Sequence, residues 1–174
     1  MTVIHTFTGK FSLLDPQPED VNIEDIVHAL SRICRYNGHC RHFYSVAQHS
    51  YLVSYLVDVK DKYRALLHDA GEAYYGDIVT PLKIAYEQRI GDSWRDIING
   101  IDIVIALALG LQWPLSEEVM KADRTMLATE KRDLLPPGDW PGLSKPAYLT
   151  VVPLETRVIE PIFKEAIYAH FHNY

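Results

Sequence analysis

Cysteine is scarce in this chain. Cys34 and Cys40 are its only two in 174 residues, and they lack C-x-x-C spacing. Two thiols build no disulfide framework and suit a reducing cytoplasm, so both read as ordinary buried or half-buried side chains. Positive charge is also in deficit: 17 Lys and Arg face 23 Asp and Glu, a formal net charge of -6. That balance argues against a general grip on duplex nucleic acid, which needs a basic face. No apolar run approaches the roughly 18 residues of a membrane span. "MTVIHTFTGKFSLLDPQ" shows no basic, apolar and small-residue leader pattern. The expectation is a soluble, cytoplasmic protein without a membrane partner. Repeats, low-complexity tracts and interdomain linkers are absent too, so residues 1–174 read as one domain.

What the chain does have is enough apolar material for a core, with 48% hydrophobic and 23% charged residues. "TVIHTFTG" alternates like a short extended segment or hairpin, and the prolines of "DPQPED" stop any helix there. From Asn22, a plausible cap, Ile23, Ile26, Val27, Leu30 and Ile33 recur at helical spacing, predicting a helix that ends near "RYNGH". Ser45 caps a second helix holding His49 near its middle, and "KYRALLHDAGEAYY" predicts a third, with Gly71 a weak point. Gly76 and Thr80-Pro81 mark a loop. A long helical stretch follows from about Leu82, breaking near Gly91 and stopping before Pro114. Ser116 caps "EEVMKADRTMLATEKRDLL", "PPGDWPGLSKPAYLTVVP" reads as loop with one short strand, and an amphipathic helix runs from about Leu154 to Phe171. The class is all-α with a short extended N-terminal segment.

The run "ALLHDAGEAYYGDIVTPLK" ends in charged residues at the edge of a core, where an ionised carboxylate is costly unless compensated. Residues three or four apart share a helix face, so Glu72 falls on the side of His68 and Asp69. Antiparallel docking of the preceding helix brings His49 beside His68, and Asp123 arrives from a later helix. Two imidazoles and two carboxylates suit Mn²⁺, Fe²⁺, Co²⁺ or Zn²⁺ with positions left open. A paired structural charge is the competing reading of the same residues.

His49, then His68-Asp69, then the distant Asp123 resembles the metal-binding signature of the HD-domain phosphohydrolase superfamily. "CRYNGHCRHFYSVAQHS", "ALLHDAGEAYYGDIVTPLK" and "VMKADRTMLATEKRDLL" resemble, in order, three blocks of its nucleotide-hydrolysing branch, over roughly residues 22–133. "HDAGE", "GD" and "TP" look like the bacterial 5'-deoxynucleotidases, and "FYSVAQHS" like the short phage-type dATP triphosphohydrolases. The resemblance implies an HD-domain helical bundle and metal ligation by His49, His68, Asp69 and Asp123. It implies a cobalt, manganese, zinc or iron ion, with room for additional magnesium. By the same resemblance Glu72 acts on the attacking water, Asp77 lies against the sugar, and Arg35 holds phosphate with Lys83 as a second cation. Tyr36 stands beside the substrate. The spacing from Arg35 to His49 is one residue shorter than in the deoxynucleotidases.

The expected activity is metal-dependent hydrolysis of a deoxynucleoside triphosphate, dATP to deoxyadenosine and triphosphate, by a homo-oligomer. The alternatives are a 5'-deoxynucleotidase acting on monophosphates and a non-catalytic nucleotide-binding HD module. Bland readings stand beside several assignments: His39 and His42 as solvated loop histidines, Asp77 as a turn cap, Lys121 and Arg124 as solvent-facing charges, Tyr74 and Tyr75 as packing. His28, His170 and His172 have no supporting pattern.

Overall fold

A computed structural model describes residues 2–172. The N-terminal segment is a two-stranded antiparallel hairpin, β1 (Val3–His5) and β2 (Lys10–Ser12), with Ile4 opposite Phe11. Among the described residues everything else regular is helical: α1 (Ile23–Leu30), α2 (Val46–Val53), α3 (Lys62–Leu66), α4 (Glu72–Tyr75), α5 (Thr80–Ile90), α6 (Ser93–Ala108), α7 (Glu117–Leu134) and α8 (Thr156–His172), with one short 3₁₀ turn before α1 and two between later helices. The chain is mostly helical, as its apolar periodicity predicts.

The three caps are present. The side chains of Asn22, Ser45 and Ser116 accept from the backbone N–H groups of Glu24, Gln48 and Val119, satisfying donors that a helix start leaves free. Four boundaries differ from expectation. α1 stops at Leu30, and "RYNG" forms a separate 3₁₀ turn in which Tyr36 and Asn37 take left-handed dihedrals. Thr80-Pro81 belongs to the first turn of α5, where the missing proline N–H costs nothing. Residues 136–155 contain no strand. The helix predicted across "KYRALLHDAGEAYY" is broken between Leu66 and Glu72.

α2 is the centre. Val46, Ala47, Gln48, His49, Ser50 and Val53 are all buried, so this helix is covered nearly all round, by α3, α7 and α8. On one side Ile26, Val27 and Leu30 of α1 join Ile101 and Ile105 of α6 and Ile159, Phe163 and Ile167 of α8. On the other, Val119, Ala122 and Met126 of α7 close over Tyr44, Val53 and Ala65. Burying a side chain of this size contributes about 1.5–3 kcal/mol. The two clusters therefore clamp His49 from both sides.

Candidate metal centre

The break in the α3–α4 segment builds the site. From Leu67 onward the backbone bonds run three residues apart: Ala70 to Leu67, Glu72 to Asp69, Ala73 to Ala70 and Tyr74 to Gly71. In such 3₁₀ turns residues i and i+3 eclipse. Asp69 and Glu72 thus stand one above the other. Gly71 is required here, since a Cβ would lie 2.1 Å from Asp102 Oδ1 and 2.7 Å from the Tyr75 hydroxyl. That hydroxyl donates to Asp102 at 3.1 Å.

His49, His68 and Asp123 converge, with one ligand atom of each within 4.8 Å of the others. His49 Nε2 lies 3.1 Å from Asp123 Oδ1 and 3.3 Å from His68 Nε2. Asp69, the fourth predicted ligand, stands outside that group of three but beside it, its Oδ2 3.3 Å from His68 Nε2 and 3.6 Å from His49 Nε2. Exposure of these side chains rises from 0% at His49 and 4% at His68 to 21% at Asp69 and 40% at Asp123. The carboxylate side is therefore the way in. Behind His68, Gly71, Asp102 and Trp113 line a cavity of about 20 Å³, room for a single water. A ligand must approach from the Asp69 and Asp123 side.

The far nitrogens of both rings are fixed. His68 Nδ1 lies 2.8 Å from the carbonyl oxygen of Ala65, which only accepts, so that nitrogen carries the hydrogen. His49 Nδ1 lies 2.5 Å from Oε1 of Glu130, a fully buried carboxylate. The two Nε2 atoms then face each other and two carboxylates, a set that a cation reconciles, either a proton on His49 Nε2 or a bound ion. The charges agree. Burial and Arg35 work against a proton on His49, yet Glu130 and Asp123 outweigh them and raise its pKa to about 10. Burial also works against ionised Asp123, but the hydrogen bond and charge of His49 hold it below its usual range. A divalent ion fits this donor set, and its mixed nitrogen and oxygen character suits Mn, Fe, Co or Zn.

Glu130 was not singled out in the sequence, and it is the keystone of the floor. It lies seven residues after Asp123 on the same face of α7, a spacing that marks it in retrospect. The Tyr36 and Tyr44 hydroxyls donate to it at 2.5 and 2.8 Å, and Arg35 Nε lies 3.4 Å away. Burial alone would raise its pKa; the charges of His49 and Arg35 lower it to about 2 instead.

The other candidates separate. Arg35 is buried, reaches Asp69 at 3.5 Å, and leaves its Nε without a hydrogen-bond partner. The Tyr36 hydroxyl is committed to Glu130, so only its ring is left to meet a ligand. Glu72 is buried with Oε2 unpartnered, and burial, then Asp69 and Asp77, push its pKa well above the carboxylate range. Lys83 is close enough to Glu72 to oppose that shift. Burial raises the pKa of Asp77, against Arg35 and the Tyr36 backbone N–H. It faces the site, and α5 starts after Val79 without a side-chain cap. His39, His42, Lys121 and Arg124 are exposed. Tyr74 packs on Phe11 with centroids 3.9 Å apart, and Tyr75 serves Asp102. His28 stacks on Phe7 and His170 on Tyr63, each at 4.0 Å. The side chain of His172 lies outside the described residues.

No family model matches the sequence. The chain is 44% identical over 160 residues to the uncharacterized protein YfdR of Escherichia coli (strain K12), covering 88% of this chain and 87% of YfdR. It is 37% identical over 122 residues to the uncharacterized protein RCAP_rcc00048 of Rhodobacter capsulatus, covering 65% of this chain and 60% of that protein.

Proposed function

This chain belongs to the family of YfdR, and we propose that it is an HD-domain metal-dependent phosphohydrolase that converts a deoxynucleoside triphosphate, dATP in first place, to deoxynucleoside and triphosphate. The observation that carries the reading is the pair of opposed Nε2 atoms with Asp123 and Asp69 closing on them, beside a buried, unpartnered Glu72. His49, His68, Asp69 and Asp123 would hold the ion. A divalent ion there supplies a more acidic water and draws charge from a phosphoryl oxygen.

The chain's own residues do the rest. Glu72, its basicity raised by burial, takes the proton of the attacking water. Arg35 and Lys83 neutralise phosphate oxygens as their charge builds. Asp77 holds the sugar end beside the ligand ring, leaving the outer phosphates to the two cations. The water oxygen bonds to the alpha phosphorus as the bond from phosphorus to the sugar oxygen breaks, and that oxygen takes a proton from solvent and leaves as deoxyadenosine. Exposed Leu82, Ile84 and Ile90 on α5, with Ile103 and Leu107 on α6, support a homodimer or larger ring. A monomer mass by light scattering would count against that assembly.

Chromatography of a dATP digest tests the activity. Deoxyadenosine and intact triphosphate should appear together, without intermediates. Passage through dADP or dAMP would replace this reading with a 5'-deoxynucleotidase, which the "HDAGE", "GD" and "TP" motifs favour second. Exhaustive chelation should abolish turnover, and Mn²⁺ or Co²⁺ should restore it. Metal-loaded protein that binds nucleotide without hydrolysing it would instead favour the non-catalytic module.

A further inference from the structure

Trp140 has no part in the chemistry above. It stands in "PPGDWPG", on the loop that follows the end of α7 at Leu134. Its ring meets that of Tyr36 with centroids 6.2 Å apart and planes inclined at 62°. Lys131 Nζ lies 5.6 Å from the indole centroid and donates to the carbonyl of Pro136 at 2.5 Å, so one side chain ties both loop and ring to the helix end. Tyr36 is itself fixed, by its hydroxyl on Glu130 and by its left-handed backbone. Arg35, its chain neighbour, sits 5.4 Å from the Tyr36 centroid and reaches Asp69. From Asp69 outward, Arg35, Tyr36 and Trp140 form one unbroken run from the ligand ring to the surface.

Trp140 nevertheless stays 43% exposed, an uncommon place for an indole that is anchored on two sides. The segment carrying exposed His39, Arg41 and His42 is tied to the same helix end, the Arg41 N–H donating to the Leu134 carbonyl at 3.2 Å. A held aromatic ring with the Lys131 cation beside it, opening from the buried Arg35 and Glu130 floor, matches a planar ring attached to an anion.

The geometry points to Trp140, braced edge-on by Tyr36, as the platform on which the base of the nucleotide stacks, an inference that rests on the nucleotide reading proposed above. Stacking grips the π face and leaves base edges unread. The subsite therefore holds purines more firmly than pyrimidines, through area alone.

Calorimetric titration of Mn²⁺-loaded protein with deoxyadenosine, which has a base and no phosphate, and with inorganic phosphate, which has no base, tests this. Trp140→Ala should weaken deoxyadenosine by roughly tenfold and leave phosphate unchanged, with Trp140→Phe close to the native protein. Equal deoxyadenosine affinity in Trp140→Ala and native protein overturns the platform. So does an equal loss for both ligands, which marks general damage, and so does phosphate binding by native protein without any for deoxyadenosine. Native protein that binds neither ligand overturns the nucleotide reading itself, and the platform with it.

Discussion

α7 and α5 each bring a charged residue toward the site, yet they are held in opposite ways. α7 buries Val119, Ala122, Met126 and Glu130 against the core, whereas α5 buries nothing and packs chiefly on α6. Asp123 therefore arrives on a helix whose position is fixed by the core, and Lys83 on an arm. On the proposed function, the difference separates two tasks. Groups that hold an ion must be placed before it comes, because their mutual repulsion resists late assembly. A cation that meets mobile phosphates tolerates an arm.

Breaking the ligand set that α7 helps to fix should have the largest effect. Asp123→Ala and Asp69→Ala should lose both metal and turnover. Glu72→Ala, at the residue proposed to act on the water and not on the ion, should keep the metal and lose about 10²- to 10⁴-fold in rate. Metal analysis beside initial rates checks this, and an empty site in Glu72→Ala would make Glu72 a ligand. Lys83→Ala, on the α5 side, should harm triphosphate hydrolysis more than monophosphate hydrolysis and leave metal content unchanged.

Next comes the floor beneath α7. Glu130→Ala strands Arg35 and His49 in the interior and should cost about 3–5 kcal/mol in denaturant unfolding. Its sign with pH follows. The folded pKa of Glu130 is depressed to about 2 from 4.5, so its contribution is complete above about pH 4.5 and is lost as pH falls toward 2. Glu130→Gln should flatten that acid limb relative to the native protein. Gly71→Ala should cost less, about 1–3 kcal/mol, as Asp102 and Tyr75 are forced aside. Smallest of all, Ile84→Ala on exposed α5 should change stability by less than about 0.5 kcal/mol. A larger loss for the isolated chain would show that α5 is held more firmly than its exposure implies.

The same contrast governs what the sequence reveals. Asn22, Ser45 and Ser116 announce three helix starts because capping is local chemistry, and the apolar period predicts the helices that pack. Gly71 marks a weak point in the third predicted helix, but the extent of the break from Leu67 hides, since a 3.6-residue and a 3.0-residue turn share the same apolar residues over so short a span. Its cause is distant: Asp102 presses where only Gly71 leaves space. His49, His68 and Asp123 were legible as a pattern and do converge. Glu130 was not, because a buried glutamate among "ATEKRDLL" looks like any surface charge until α2 and Tyr44 are packed against it. Tyr36 was legible as an aromatic beside the site, but not its hydroxyl bond to Glu130, which is set by a left-handed turn.

The most direct test is a Co²⁺ titration of chelator-treated protein, followed by calorimetry and visible absorption. The account predicts saturation at one tight equivalent per chain, absent in Asp123→Ala and intact in Glu72→Ala. No saturable binding by the native protein, or equal binding by Asp123→Ala, would contradict it.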